Sequence, residues 1–355
     1  MPLNRRQFGL SAIALASRFA AQAQERKIGY AIVGLGRISM QHFMPACKMS
    51  KYSRVTALVT GHREKADKLA PQYDIPARSI YSYENFDSIA NNKDVDAVYI
   101  ALPNGMHSEY TIRSAKAGKH VLCEKPMAND VAESQAMIDA CRKANRKLMI
   151  AYRCQFEPVS LRAIELIRSG KLGKIQAIES SNGFNIQRGD WRLNRKLAGG
   201  GPMMDVGIYS LNACRYLTGE EPREVKGYMS TIDRDGRFDE VEENLSWTMK
   251  FPSGIVASCN TTYGANMQGN FRVHGSRGVL TAEPAFYYDG LRLTAQIQGE
   301  PPIDMAANER DPAHFIREAD HMAECILENK EPKPNGEEGL KDMKLMAEIY
   351  RTARA

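Results

Sequence analysis

The chain has 355 residues, enough for two domains, and its 43% hydrophobic and 25% charged side chains are the balance of a soluble globular protein. Its formal charge is +6, half of it from Arg5, Arg6 and Arg18, and no basic run is interleaved with aromatics, which argues against nucleic-acid binding. No apolar stretch of about 18 residues follows the first two dozen, so no membrane span is expected, and seven scattered cysteines without CxxC spacing indicate neither a metal site nor a disulfide framework.

At the N-terminus, Arg5-Arg6 precede Phe8 and Leu10, an apolar run follows, and Ala21-Gln22-Ala23 has the small-residue form of a cleavage site. Residues 1–23 read as a twin-arginine signal peptide, an address that exports folded proteins to the periplasm. The other reading is an amphipathic helix that stays attached.

From Lys27 short apolar strands alternate with helical stretches. Residues 28–33 form a buried-type strand, and a glycine turn leads to a helical stretch over 41–49. Further strands are expected at 55–60, 95–102, 120–123 and 148–151, with helices over 63–72, 108–116 and 131–144. This alternation predicts a parallel, doubly wound sheet, a Rossmann-like nucleotide-binding domain over residues 27–152. After a helix at 159–169, a strand at 175–184 and a helix at 204–217, the rhythm changes. Strands at 225–231, 244–251, 255–262, 270–274 and 279–282 follow one another across Gly and Ser turns. Short turns predict a mostly antiparallel open sheet, so residues 153–355 read as an α+β substrate domain. Helices at 314–328 and 340–353 end the chain and are free to pack back on the first domain.

Gly34-Leu35-Gly36-Arg37-Ile38-Ser39 follows the first strand directly. Gly34 permits a tight turn, Gly36 lets backbone approach a pyrophosphate, and the helix start offers free N–H groups. Ser39 stands where the dinucleotide fingerprint has a third glycine or alanine. An NAD site ends its second strand with an acid for the ribose 2′-hydroxyl. Here Thr60-Gly61-His62-Arg63-Glu64-Lys65 places a glycine and cations there instead, which favours NADP, with Arg63, Lys65 and Arg37 facing the 2′-phosphate. The alternative is that these cations only solvate a helix surface.

Glu124-Lys125-Pro126 ends a parallel strand, the edge where open α/β sheets place chemistry. Asp205 and Tyr209, four apart in Gly199-Gly200-Gly201-Pro202-Met203-Met204-Asp205-Val206-Gly207-Ile208-Tyr209, would share one helix face. An ammonium, a carboxyl and a phenol together suit proton transfer; separately they also fit a surface lysine, a first-turn acid and a core ring.

These motifs, with Leu102-Pro103-Asn104, His107, Ala117-Gly118-Lys119-His120, Ala151-Tyr152-Arg153-Cys154 and Asp190-Trp191-Arg192, resemble the glucose–fructose oxidoreductase/inositol dehydrogenase (Gfo/Idh/MocA) family from about Lys27 onward, and most of all its glucose–fructose oxidoreductase branch. The resemblance implies an NADP-dependent enzyme acting on monosaccharides, oxidising a cyclic aldose to a lactone and reducing a second sugar with a tightly held nucleotide. It implies Lys125, Asp205 and Tyr209 as the catalytic group. It also implies cofactor contacts from Gly34 to Ile38 and from Gly61, His62, Arg63, Lys65, Leu102, Asn104, His107, Glu124, Lys125, Tyr152, Arg153, Trp191 and Arg192. Asn182, Arg195, Tyr263 and His321 are candidates for the sugar pocket. A homodimer through the open sheet is expected. The alternatives are a dehydrogenase that releases its cofactor and, more remotely, a nucleotide-binding regulator without catalysis.

Overall fold

A computed structural model describes residues 26–307 and 313–354; the expected leader lies outside them. The first sheet begins with β1 (Ile28–Val33), buried at every position because both sheet faces are covered. A five-residue π-turn, Ser39–Phe43, leads into α1 (Met44–Met49), where Pro45 sits in the first turn and spends no N–H. Then come β2 (Ser53–Val59), α2 (Arg63–Leu69), β3 (Ile80–Tyr81), β4 (Ala97–Ile100), α3 (His107–Lys116), β5 (His120–Glu124), α4 (Val131–Lys143) and β6 (Leu148–Ala151). All pair in parallel in the order β3-β2-β1-β4-β5-β6. The order reverses between β1 and β4, which opens a crevice at the carboxyl ends of those strands. The helix expected over 63–72 is shorter: Pro71 turns its end into a 3₁₀ segment at Ala70–Tyr73.

The second part opens with α5 (Pro158–Arg168), whose first N–H groups are accepted by the Glu157 carboxylate. It continues through β7 (Ile175–Gly183), the short α6 (Arg195–Ala198) and α7 (Ile208–Thr218). The strands β8 (Glu224–Ser230), β9 (Asn244–Lys250), β10 (Val256–Thr262), β11 (Asn270–Gly275), β12 (Gly278–Ala282), β13 (Arg292–Ile297) and β14 (Ile303–Ala306) follow. The sheet runs β14-β13-β12-β11-β7-β10-β9-β8; β7 and β10 are parallel and every other pair is antiparallel. Each strand alternates: Leu245, Trp247 and Met249 of β9 are buried, while Ser246, Thr248 and Lys250 are exposed. One face therefore packs on helices and the other presents polar side chains.

The closing helices are α8 (Ala313–Leu327) and α9 (Gly336–Ala353). Phe315, Ala319, Met322 and Ala323 of α8 share one apolar core with Ile28, Tyr30, Ile32 and Leu58 of the first sheet. α9 touches both sheets: Gly339 lies against Ile150 and Met127, and Ile349 lies against Gly227 of β8.

Candidate active site

The turn after β1 has the form a pyrophosphate needs. Gly34 has φ +94°, and a Cβ there would meet the Ala101 carbonyl oxygen at 2.4 Å, so only glycine fits. Above Gly36 the space is open, so backbone is bare just where an anion would approach the helix start. Leu35 is buried and Ile38 half-buried, holding the turn to the core. Ser39 Oγ donates to the Gly34 carbonyl at 2.6 Å. The serine is thus a tie across the turn, where a third glycine would only allow close packing. Arg37, Gly61, His62, Arg63 and Lys65 are all exposed. Arg37 bonds Gln41, and Arg63 pairs with Asp67 at 2.9 Å, both more than half exposed, so the pair is weak. Thr60 Oγ1 accepts from the His62 N–H at the end of β2, the position where an acid would mark an NAD site. These residues fit a nicotinamide dinucleotide.

Lys125, Asp205 and Tyr209 are brought together. Lys125 leaves the end of β5 through a cis bond to Pro126. Its Nζ donates to the Asp205 carbonyl at 2.7 Å, lies 3.5 Å from Asp205 Oδ1, and stands 4.5 Å from the centre of the Tyr209 ring. Asp205 Oδ2 accepts from Arg192 Nε at 2.9 Å and from the Tyr263 hydroxyl at 3.1 Å. Burial pushes the Asp205 carboxyl up, but the Arg192 and Lys125 cations outweigh it and hold the group below the usual carboxylate range. Burial pushes the Tyr209 phenol up, and the Arg153 cation pulls part of that back.

Asp205 lies in a π-turn, Met203–Gly207, rather than in the regular helix its spacing suggested. Tyr209 follows in the first turn of α7. The start of this segment is held by Glu242, whose carboxylate accepts from Gly201 N at 2.9 Å, Met203 N at 3.4 Å and the Tyr350 hydroxyl at 2.7 Å. A Cβ at Gly201 would strike the Glu242 carbonyl at 2.3 Å. Burial pushes the Glu242 carboxyl up, and its three donors offset part of the rise.

Several residues expected at the cofactor make braces within the chain. His107 is buried, and its two ring nitrogens each lie 2.9 Å from a carbonyl, of Pro126 and Leu102, so neither is left for a ligand. It ties the loops after β4 and β5 together, and burial pushes its imidazole down. Tyr152 is buried with its phenol toward Asp342 of α9; burial, then that carboxyl, push it well up. Arg153 is 4% exposed. Its guanidinium donates to the carbonyls of Phe286 and Tyr287 and lies over the rings of Tyr209, at 5.3 Å, and Tyr288, at 4.3 Å. It braces the Tyr209 ring. Asn104 is buried, with its amide nitrogen spent on the Ala198 carbonyl, and Leu102 is packed near Gly34. Trp191 and Arg192 stay half-exposed beside Asp205, the guanidinium over the indole at 4.7 Å.

Of the pocket candidates, Tyr263 reaches Asp205 and Asn182 donates to the Val206 carbonyl. Arg195 binds Glu240, and His321 on α8 accepts from Lys333 N, so both are bonded to other parts of the chain. Sequence reasoning did not find Glu242, Tyr288, Tyr99 or Glu318. The Tyr99 hydroxyl donates to Glu124 at 2.5 Å, and Glu124, pushed up by burial, sits beneath the crevice. Glu318 on α8 is fully buried and its oxygens lack a hydrogen-bond partner; burial, then the nearby Glu124, push its carboxyl well up. These residues lie far apart in sequence, and no local pattern marks them.

A glycine turn at the switch point of a parallel sheet, with a Lys–Asp–Tyr cluster at the end of the fifth strand, defines a nicotinamide-nucleotide oxidoreductase. Residues 28–152 match the model of the GFO/IDH/MocA oxidoreductase family's NAD-binding Rossmann fold, and residues 160–281 match that of its C-terminal domain. The crystal structure of an aldose-aldose oxidoreductase from Caulobacter crescentus superposes with a TM-score of 0.89 and 48% identity, over 93% of this chain and 98% of that one. A D-xylose 1-dehydrogenase [NADP(+)] of Haloarcula marismortui is 31% identical over 93% of this chain and 92% of its own. A levoglucosan dehydrogenase solved with NADH and levoglucosan shares the fold, with a TM-score of 0.79 and 23% identity over 92% of this chain and 97% of that one. The chain belongs to the Gfo/Idh/MocA family. It is an NAD(P)-dependent oxidoreductase that acts on sugars.

Proposed function

We propose that the protein oxidises a cyclic aldose at C1 to an aldonolactone and, keeping the reduced nucleotide, reduces a second sugar to its alditol. The observation that carries this reading is the convergence of Lys125 on Asp205 and the Tyr209 ring, in a chain 48% identical to an aldose-aldose oxidoreductase. NADP is the proposed nucleotide, because β2 ends without an acid and with exposed Arg63 and Lys65 beyond it. The turn at Gly34–Ile38 would hold its pyrophosphate, and Trp191, Arg192 and Glu124 flank the nicotinamide end. The bound nicotinamide supplies a hydride acceptor in one half of the cycle and a donor in the other.

The residues of the chain divide the proton chemistry. Asp205 is ionised and already shared among Arg192, Tyr263 and Lys125, which makes it a poor base and a good anchor. It fixes the Lys125 ammonium where a C1 oxygen is held and polarised. Tyr209, acting as the phenolate favoured by the Lys125 and Arg153 cations over its ring, takes the hydroxyl proton of the donor sugar and returns it to the carbonyl oxygen of the acceptor. Proton and hydride both pass from the first sugar to the second, so the cycle needs no added nucleotide. That economy suits the export proposed from residues 1–23, since soluble NADP is scarce outside the cytoplasm. The functional unit is proposed to be a homodimer joined through the exposed face of the eight-stranded sheet.

The test is an absorbance spectrum of the purified mature protein before and after aldoses are added. Bound NADP is expected to co-purify, to be reduced by an aldose, and to be reoxidised by a second sugar with lactone and alditol formed in equal amounts. The similarity to the D-xylose dehydrogenase favours a second reading, a dehydrogenase that releases its cofactor. Nucleotide-free protein that turns over steadily only with added NADP would establish that reading against the coupled cycle.

A further inference from the structure

All seven cysteines are free and buried, and one pair has its sulfurs in contact: Cys214 Sγ on α7 lies 3.7 Å from Cys259 Sγ on β10. The contact belongs to an ordered seam between helix and sheet. Ser210 and Cys214 are four apart and share the face of α7 that meets the sheet. Ser180 Oγ on β7 donates to Ser210 Oγ at 2.8 Å, and Ser180 pairs in register with Cys259. The two contacts are therefore adjacent rungs. One turn earlier, Gly207 sits against Thr261, where a Cβ would come within 3.0 Å of Thr261 Cγ2. Thr261 is two residues beyond Cys259 and faces the same way. Helix and strand are thus held close on both sides of the thiols, without a large side chain between them.

We propose that Cys214 and Cys259 are a disulfide site, closed when the folded chain meets a disulfide oxidant such as oxidised glutathione or the disulfide of a thiol oxidase. Closure from 3.7 Å to about 2.05 Å needs the sulfurs to move by less than about 2 Å in total, within reach of small side-chain rotations. The Cys259 thiolate attacks one sulfur of the oxidant and releases a thiol. The Cys214 thiolate then attacks the Cys259 sulfur of the mixed disulfide and releases the second thiol. Two protons leave, and the two electrons pass to the oxidant. Burial pushes the Cys259 thiol well up, so the reaction is slow and follows local opening. The bond staples α7, which carries Tyr209, to β10, which runs on into Tyr263.

The full-length mature protein is incubated natively with oxidised glutathione or with dithiothreitol, then denatured, alkylated and mapped by mass spectrometry. Oxidation is expected to reduce the alkylated thiols from seven to five, to yield a crosslinked peptide pair containing Cys214 and Cys259, and to raise the melting temperature by about 5 °C. In Cys214→Ser the crosslinked pair and the shift are expected to vanish. Seven alkylated thiols after oxidation, glutathione adducts alone, or a link between other cysteines would overturn the assignment. None of these readings involves sugar turnover, so the outcome is independent of the proposed reaction.

Discussion

Asp205 receives Arg192, Tyr263 and Lys125 before any ligand arrives, and in the proposed reaction this sharing separates the roles of the three site residues. With the carboxylate occupied, the proposal gives the transferable proton to Tyr209 and the oxygen-holding charge to Lys125. Lys125→Met and Tyr209→Phe are each expected to lower kcat by about 10²–10⁴-fold, measured as lactone formation at saturating aldose, while the melting temperature stays within a few degrees. A loss of less than about tenfold in both variants would remove them from the chemistry. The motifs around Lys125 and Asp205 were legible because each is short and local. The same local view could not show the partners of His107, Tyr152 and Arg153, since Pro126, Asp342 and Phe286 become their neighbours only when the chain folds.

At the scale of elements, the period of apolar residues revealed the strands and most helices, because alternation and 3.6-residue spacing are properties of contiguous sequence. It failed at β13, at the four-residue edge strand β14, and at the π-turns of Ser39–Phe43 and Met203–Gly207, which no spacing distinguishes from α-helix. One strand end carries a pH response. His120 opens β5, its Nδ1 accepts from Lys147 N at 3.0 Å, and burial, then Arg146 and Lys147, lower its pKa to about 4. The unfolded chain keeps the ordinary value of 6.5 and so takes the proton first as pH falls. The stability this neutral histidine confers is complete above pH 6.5 and is lost as the pH drops toward 4, by about 3 kcal/mol at most. Melting curves of the parent and His120→Asn between pH 7 and 4.5 are expected to show a shallower acid decline in the variant; parallel declines would exclude the histidine as the cause.

Over the whole molecule, the two sheets divide the labour: one builds the nucleotide crevice, and the other sends π-turn and strand ends toward it. The exposed face of the second sheet carries Tyr228, 70% exposed, among Lys226, Ser246, Thr248, Asn260 and Arg272. A second copy placed there is expected to be displaced by Tyr228→Glu, seen in sedimentation velocity as a dimer giving way to monomer with the far-ultraviolet circular dichroism unchanged. A parent protein that sediments as a monomer would remove this face as a subunit contact. The long return of α8 has a consequence for synthesis. Phe315, Ala319, Met322 and Ala323 cover apolar residues of β1 and β2, yet they leave the ribosome some 160 residues after β6. A nascent chain that has already emitted every strand of the nucleotide sheet still has that surface uncovered, so the sheet is finished only once α8 has emerged. Loss of α8 would leave that face bare, however early the glycine turn was made.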